Sequence, residues 1–181
     1  MDAVMISIRP EWCELISGRK KRIELRKTRP RIDTPFKCYI YETRGSTNTP
    51  WADEDGHLIW KGRGAVIGEF ICESIYKVDI PFPAYQADMD KRTRTLLADA
   101  CLTYTKAHEY LGHRSGYGWL ISDLKIYDEP KALTDFFALC PRVYCQDTCP
   151  QWKHHNCDLL HGGVHPINSP PQSWCYVEEL A

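Results

Sequence analysis

The sequence predicts an α+β fold: a small closed β-barrel of about six strands with flanking helices, carrying a Cys/His-rich insertion at about residues 140–169. Three observations point to it. Short stretches rich in β-branched and aromatic residues, several with period-two alternation, recur along the chain. One long amphipathic helical pattern and a few short ones flank them. The strand–helix–strand rhythm of a doubly wound sheet is missing, which favours a sheet that closes on itself.

Val4 to Ile8 reads as the first strand. Pro10 to Gly18 follows, with Pro near a helix start and Gly just past its end, and fits a helix of one or two turns. From Arg22 to Arg26 apolar and polar residues alternate, which places Ile23 and Leu25 on one face and Arg22, Glu24 and Arg26 on the other, toward a groove or solvent. Phe36 to Tyr41 and Ala65 to Val78 are further strands, the second long enough to bend at Gly68. The polar stretch from Gly45 to Gly64 between them is a loop or hairpin.

Lys91 to Leu111 is the clearest helical pattern, with Leu96, Leu97, Ala100, Cys101, Tyr104, His108 and Leu111 at helical spacing and Gly112 at its end. His108 on that face reads as a packed, hydrogen-bonded histidine, since no acid or nucleophile accompanies it at useful spacing. Tyr117 to Tyr127 returns to strand character, and Lys131 to Leu139 reads as a short helix after Pro130. Ser173 to Leu180 alternates like a last strand closing the sheet.

At 181 residues, 43% hydrophobic and 26% charged, the chain is expected to form one domain over residues 1–181 that includes the insertion. No run approaches the roughly 18 apolar residues of a membrane span, and Met1 to Ile8 lacks the basic start and apolar stretch of a signal peptide. A cytoplasmic location without a membrane partner is the expectation. Nine cysteines is an odd count, and Cys13, Cys38, Cys72, Cys101 and Cys175 stand singly in apolar patterns as small hydrophobes. That pattern argues against a secreted disulfide scaffold.

The densest local charge runs from Gly18 to Pro30, in a chain of net charge −1, so it is a patch and not a reflection of overall composition. Lys21, Arg22 and Arg26 offer donors to phosphate, Arg as a fork and Lys as a point charge. Glu24, the single acid among them, can orient Arg22 or Arg26, or accept from a base amino group. Trp51 and Trp60 in the polar loop are candidates to stack a base, whereas Tyr39 and Trp119 are expected to pack in the barrel. Charge alone would equally suit a solvated strand edge kept from pairing by Lys and Arg.

A second concentration is Cys140, Cys145, Cys149 and Cys157, with His154 and His155 between them and His161 and His165 beyond. Thiolates and imidazoles in a segment with little apolar content suit one structural zinc held by the four cysteines, with His154 or His155 as alternates. An iron–sulfur cluster and a set of free thiols are the other readings.

Ile6-Ser-Ile-Arg-Pro10, the helix ending at Gly18, and Lys21-Arg-Ile-Glu-Leu-Arg26 together resemble the ASCH domain, a PUA-like β-barrel family associated with RNA. Its signature is Gly-x-Lys-x-x-Glu-x-Arg. Lys21, Glu24 and Arg26 keep that spacing, while Gly18 lies one residue further upstream, so the turn is expected to carry an extra residue. Segments at Pro35–Tyr41, Val66–Phe70, Gly118–Tyr127 and Pro170–Glu178 are similar to those of ASCH proteins often encoded in phages and prophages. The resemblance implies a cleft beside the signature strand that binds RNA or a nucleotide-like ligand, with Lys21, Arg22, Glu24 and Arg26 on it. It also implies an alternative. Some small members are amidohydrolases acting on acetylated cytidine through a Lys, a Thr and a Glu. Lys21 matches that lysine, Glu24 stands where the threonine would be and can serve as a general base, and Glu69 or Glu73 is a candidate for the acid. A phage protein that binds a host protein, with the insertion as contact surface, is the remaining alternative.

Overall fold

The structure, a computed structural model, describes residues 2–44, 51–52, 58–59, 62–81, 89–112, 114–139 and 164–180. In chain order its strands are β1 (Asp2–Ile8), β2 (Ile23–Arg26), β3 (Phe36–Glu42), β4 (Trp51–Ala52), β5 (Leu58–Ile59), β6 (Ala65–Val78), β7 (Gly116–Lys131), β8 (Phe137–Leu139), β9 (Val164–Pro166) and β10 (Trp174–Glu178). The helices are α1 (Pro10–Ser17), α2 (Lys91–Asp99) and α3 (Tyr104–Leu111). Eight strands form one mixed sheet in the order β2-β7-β6-β3-β1-β10-β8-β9, and β4 and β5 make a separate hairpin. Only β1 and β3 pair in parallel among the described strands; the other partners are antiparallel.

Most positions of the central strands β1 and β3 are apolar because both of their faces are covered. On β1, Val4, Ile6 and Ile8 enter one core with Cys13 and Ile16 of α1, while Ala3 and Met5 enter a second with Phe136, Ile167 and Val177. Alternation on β3 does the same, sending Cys38 and Ile40 to the first core and Tyr39 and Tyr41 to the second. A third core forms where Leu96, Leu97, Ala100, Ala107 and Leu111 of the helical pair cover Ile23, Leu25 and Val78. Cys13, Cys38 and Cys72 are free and buried in the first core, where burial pushes the Cys72 thiol up to about 12. They are the small hydrophobes the sequence suggests.

One side-chain contact measures how far the sheet curls. Three strands separate β2 from β1, so a flat sheet would hold them about 19 Å apart at about 4.8 Å per strand. Yet the Arg26 guanidinium on β2 donates to the Ser7 carbonyl on β1 at 2.6 Å. The sheet therefore curls until β2 comes back within a side chain's reach of β1.

The expected strands at Val4–Ile8, Phe36–Tyr41, Ala65–Val78 and Ser173–Leu180 correspond to β1, β3, β6 and β10. The main sheet has eight strands where about six were expected, because β8 and β9 have three residues each, too few for alternation to register. Two further differences have local causes. The Lys91–Leu111 pattern is two helices, broken where Cys101 turns to φ 54 and Thr103 caps α3 by accepting from Lys106 N at 3.3 Å. Its apolar spacing survives the break because both helices cover the same core. Lys131–Leu139 holds only a 3-10 turn at Leu133–Asp135 before β8, and Phe136 is drawn inward to pack edge-on against Tyr39 at 4.9 Å. His108 is half-buried and stacked on Tyr104 at 5.8 Å. Among the described residues no helix is long and apolar enough to cross a membrane.

Candidate functional site

The site begins at the end of α1. Lys20 N donates to Leu15 O at 2.9 Å and Arg19 N to Ile16 O at 2.8 Å, the paired bonds of a Schellman C-cap. That cap needs a left-handed residue, and Arg19 supplies it at φ 57. Gly18 is the C-cap residue at φ −74, and it is Arg19, one residue on, that takes the left-handed conformation glycine adopts most easily. Lys21 N also reaches Leu15 O at 2.9 Å, which delivers the Lys21 side chain to the start of β2.

Lys21, Glu24 and Arg26 meet there. The Lys21 ammonium lies 3.3 Å from Glu24 Oε2, and Arg26 Nε lies 3.1 Å from Glu24 Oε1. All three are buried, at 3%, 7% and 7% exposure, so their charges act on each other with little screening. The polar face of β2 thus turns to the interior instead of to solvent. Lys21 also donates to the Ala100 carbonyl at the end of α2 at 2.6 Å and sits 4.9 Å from the Trp12 ring centroid. Arg26 binds Ser7 O and lies 3.4 Å from Ser173 Oγ. Glu24 opposes Trp119 in the β2/β7 register, so the two side chains share a face.

The cluster is incompletely satisfied. Among the described residues, Glu24 Oε2, Arg26 Nε and Trp119 Nε1 are buried atoms without a hydrogen-bond partner. The contacts of Glu24 with Lys21 and Arg26 are close enough for ion pairs but lack hydrogen-bond alignment. One acceptor and two donors are left short of a hydrogen bond, two of the three within a cluster of two cations and one anion.

The other predicted residues lie elsewhere. Arg22 is exposed and pairs with Asp99 at 2.5 Å, while its backbone N–H donates to Asp99 O. Glu69 opposes Tyr39 in the β3/β6 register, on the side of the second core, and accepts from the Tyr127 hydroxyl at 2.5 Å. It is not brought to the Lys21 cluster. Glu73 is exposed on β6. Trp51 is placed by its backbone in β4, and Trp60, Cys140, Cys145, Cys149, Cys157, His154 and His155 lie outside the described residues. Among the described residues no three His, Cys, Asp or Glu side chains gather as metal ligands.

Four contributors escaped the sequence reading: Trp12, Ser7, the Ala100 carbonyl and Tyr110. Tyr110 on α3 lies under the Lys27 ammonium, 5.2 Å from its ring centroid, and burial raises its hydroxyl above the usual phenol range. Only Trp12 left a trace, as an aromatic two positions past the helix-starting Pro10.

No protein-family model matches the chain, and no curated protein does. Solved structures do. The ASCH protein of Zymomonas mobilis superposes with a TM-score of 0.54 at 19% identity, covering 98% of this chain and 88% of that one. The chain has the ASCH-domain fold. Two point mutants of the Zymomonas mobilis protein, one Tyr to Phe and one Ser to Ala, give TM-scores of 0.56 and 0.55, each at 19% identity and 98% coverage of this chain. They cover 91% and 89% of their own chains, so the likeness to the ASCH fold extends over nearly the whole of both molecules.

Proposed function

We propose that this ASCH-fold protein binds RNA or a nucleotide at the Lys21–Glu24–Arg26 cluster. The observation that carries the reading is a buried cluster of two cations and one anion, in which Glu24 Oε2 and Arg26 Nε make ion pairs but no aligned hydrogen bond. Such groups are costly to bury and are best completed by a ligand that brings negative charge and a donor of its own. Phosphate beside a base amino group answers both needs. Arg22, exposed and paired with Asp99, can add a further cation by exchanging that carboxylate for a phosphate.

Binding of a fluorescein-labelled single-stranded oligoribonucleotide is expected to weaken steeply as salt rises, because phosphate contacts release counterions. Arg22→Gln should reduce the slope of log K against log salt by about one. Anisotropy titrations across a salt series check this, and an affinity indifferent to salt would overturn the reading.

Hydrolysis of a modified nucleoside such as acetylated cytidine ranks second. A buried lysine against a carboxylate is the observation in its favour. Against it, the Lys21 ammonium is already engaged by Ala100 O and Trp12, and Glu24 brings no hydroxyl nucleophile. Release of cytidine from the acetylated nucleoside, lost on Lys21→Met, would put this reading first.

For the Cys/His-rich segment at about residues 140–169 the sequence supports one zinc on Cys140, Cys145, Cys149 and Cys157, with His154 or His155 as alternates. Metal analysis of protein purified without added zinc should find about one equivalent. Cys149→Ser should lower it and expose the segment to proteolysis while oligoribonucleotide binding persists. If the substitution changes neither metal content nor proteolysis, the cysteines are free thiols and the segment's use as a host-protein contact loses its ordered scaffold.

A further inference from the structure

We propose that Tyr110 and Lys27 form the rim of this site, and that the ligand is a phosphorylated nucleotide unit of single-stranded RNA and not a bare nucleoside. The inference rests on the nucleic-acid reading above. Among the described residues the exposed large apolar side chains are Tyr110, at 38%, and Phe137 on the short strand β8. Tyr110 lies off the buried Ala107–Leu111 face of α3 and is divided along its length. Its ring meets Lys27, the residue that follows the buried Arg26, while more than a third of the residue remains in solvent. An aromatic ring that spans the boundary between a buried polar cluster and water has the position of a stacking platform.

The charge beside it selects the ligand. The Lys27 ammonium lies 5.2 Å from the centroid of the Tyr110 ring, and Lys27 is exposed. Because the ammonium sits over the ring, a base stacked on that face would displace it, and a point charge on a flexible stem can follow to the base's own phosphate. Arg29 and Arg31, both exposed, follow in the chain and add cationic charge to the same segment. A nucleoside would use the ring and leave those cations idle, whereas a strand uses both.

The competing account makes Tyr110 a pin that holds α3 to the end of β2 through its hydroxyl. Tyr110→Phe keeps the ring and removes the hydroxyl, whereas Tyr110→Ala removes both. With a fluorescein-labelled single-stranded oligoribonucleotide as probe, Tyr110→Phe is expected to bind within about twofold of the parent, and Tyr110→Ala about tenfold or more weakly. Lys27→Gln, an exposed change that does not burden the fold, should weaken binding and lower the salt slope by about one. Cytidine 5′-monophosphate should displace the probe at concentrations where cytidine does not. Equal losses in the Phe and Ala variants would make Tyr110 a pin. Binding by Tyr110→Ala or Lys27→Gln equal to the parent, or equal displacement by cytidine, would also overturn the proposal. If the parent protein itself fails to bind, the nucleic-acid reading falls and this rim falls with it. Binding by the parent with unaffected rim variants sinks the rim alone.

Discussion

Glu24→Ala is expected to cost about 3–5 kcal/mol of folding stability, because it leaves Lys21 and Arg26 buried without their shared counter-charge. For a chain of this size that corresponds to a fall of about ten degrees in melting temperature. The side chains of all three are at most 9% exposed, so the small worth of a surface ion pair does not apply. Some compensation is built in. Lys21 keeps the Ala100 carbonyl and Arg26 keeps the Ser7 carbonyl, and these limit the loss to the lower part of the range if the cavity admits water. Glu24→Gln keeps the volume and an acceptor and should fall between the parent and Ala. It should also change which nucleotide is preferred more than it changes the salt slope, since it alters the group opposite a base amino group without removing a cation. Thermal and urea unfolding with oligonucleotide titrations read both effects. A Glu24→Ala protein that melts with the parent would mean the carboxylate does not balance the two cations.

The spacing of Lys21, Glu24 and Arg26 was legible because it is local: a helix cap sets Lys21, and strand alternation sets Glu24 and Arg26 on one face. Whether that face meets solvent or interior was not. Its burial depends on β7, α2 and β1, which reach it from Trp119, Ala100 and Ser7, far away in the chain. The Ala100 contact is to a backbone carbonyl, for which no residue type is a signal. Ile23 and Leu25 looked like the buried face of a half-exposed strand and are buried, but the helical pair covers that side while the curled sheet covers the other. The helical pattern from Lys91 to Leu111 misled for a related reason, since packing on one core preserved the period across a backbone break. Thr103 was the readable sign of a new helix start.

Replacing the whole cluster should behave unlike breaking it. Lys21→Met, Glu24→Leu and Arg26→Met together remove every charge and restore apolar volume, a change that is often neutral or stabilising by about 1–4 kcal/mol for a buried ionic cluster. Here the Ala100 and Ser7 carbonyls lose their donors, at about 1–3 kcal/mol each, which offsets the gain. The triple variant is therefore expected to unfold within about 2 kcal/mol of the parent, well above Glu24→Ala, and to bind no oligoribonucleotide at low salt. Stability without binding would show that the charges are kept for a ligand, since the fold does not need them. If the triple variant melts as low as Glu24→Ala, the cluster is a structural clamp that draws β2 to β1 and α2. If it binds like the parent, the ligand lies elsewhere on the molecule, and the unpartnered atoms of Glu24 and Arg26 serve some other end.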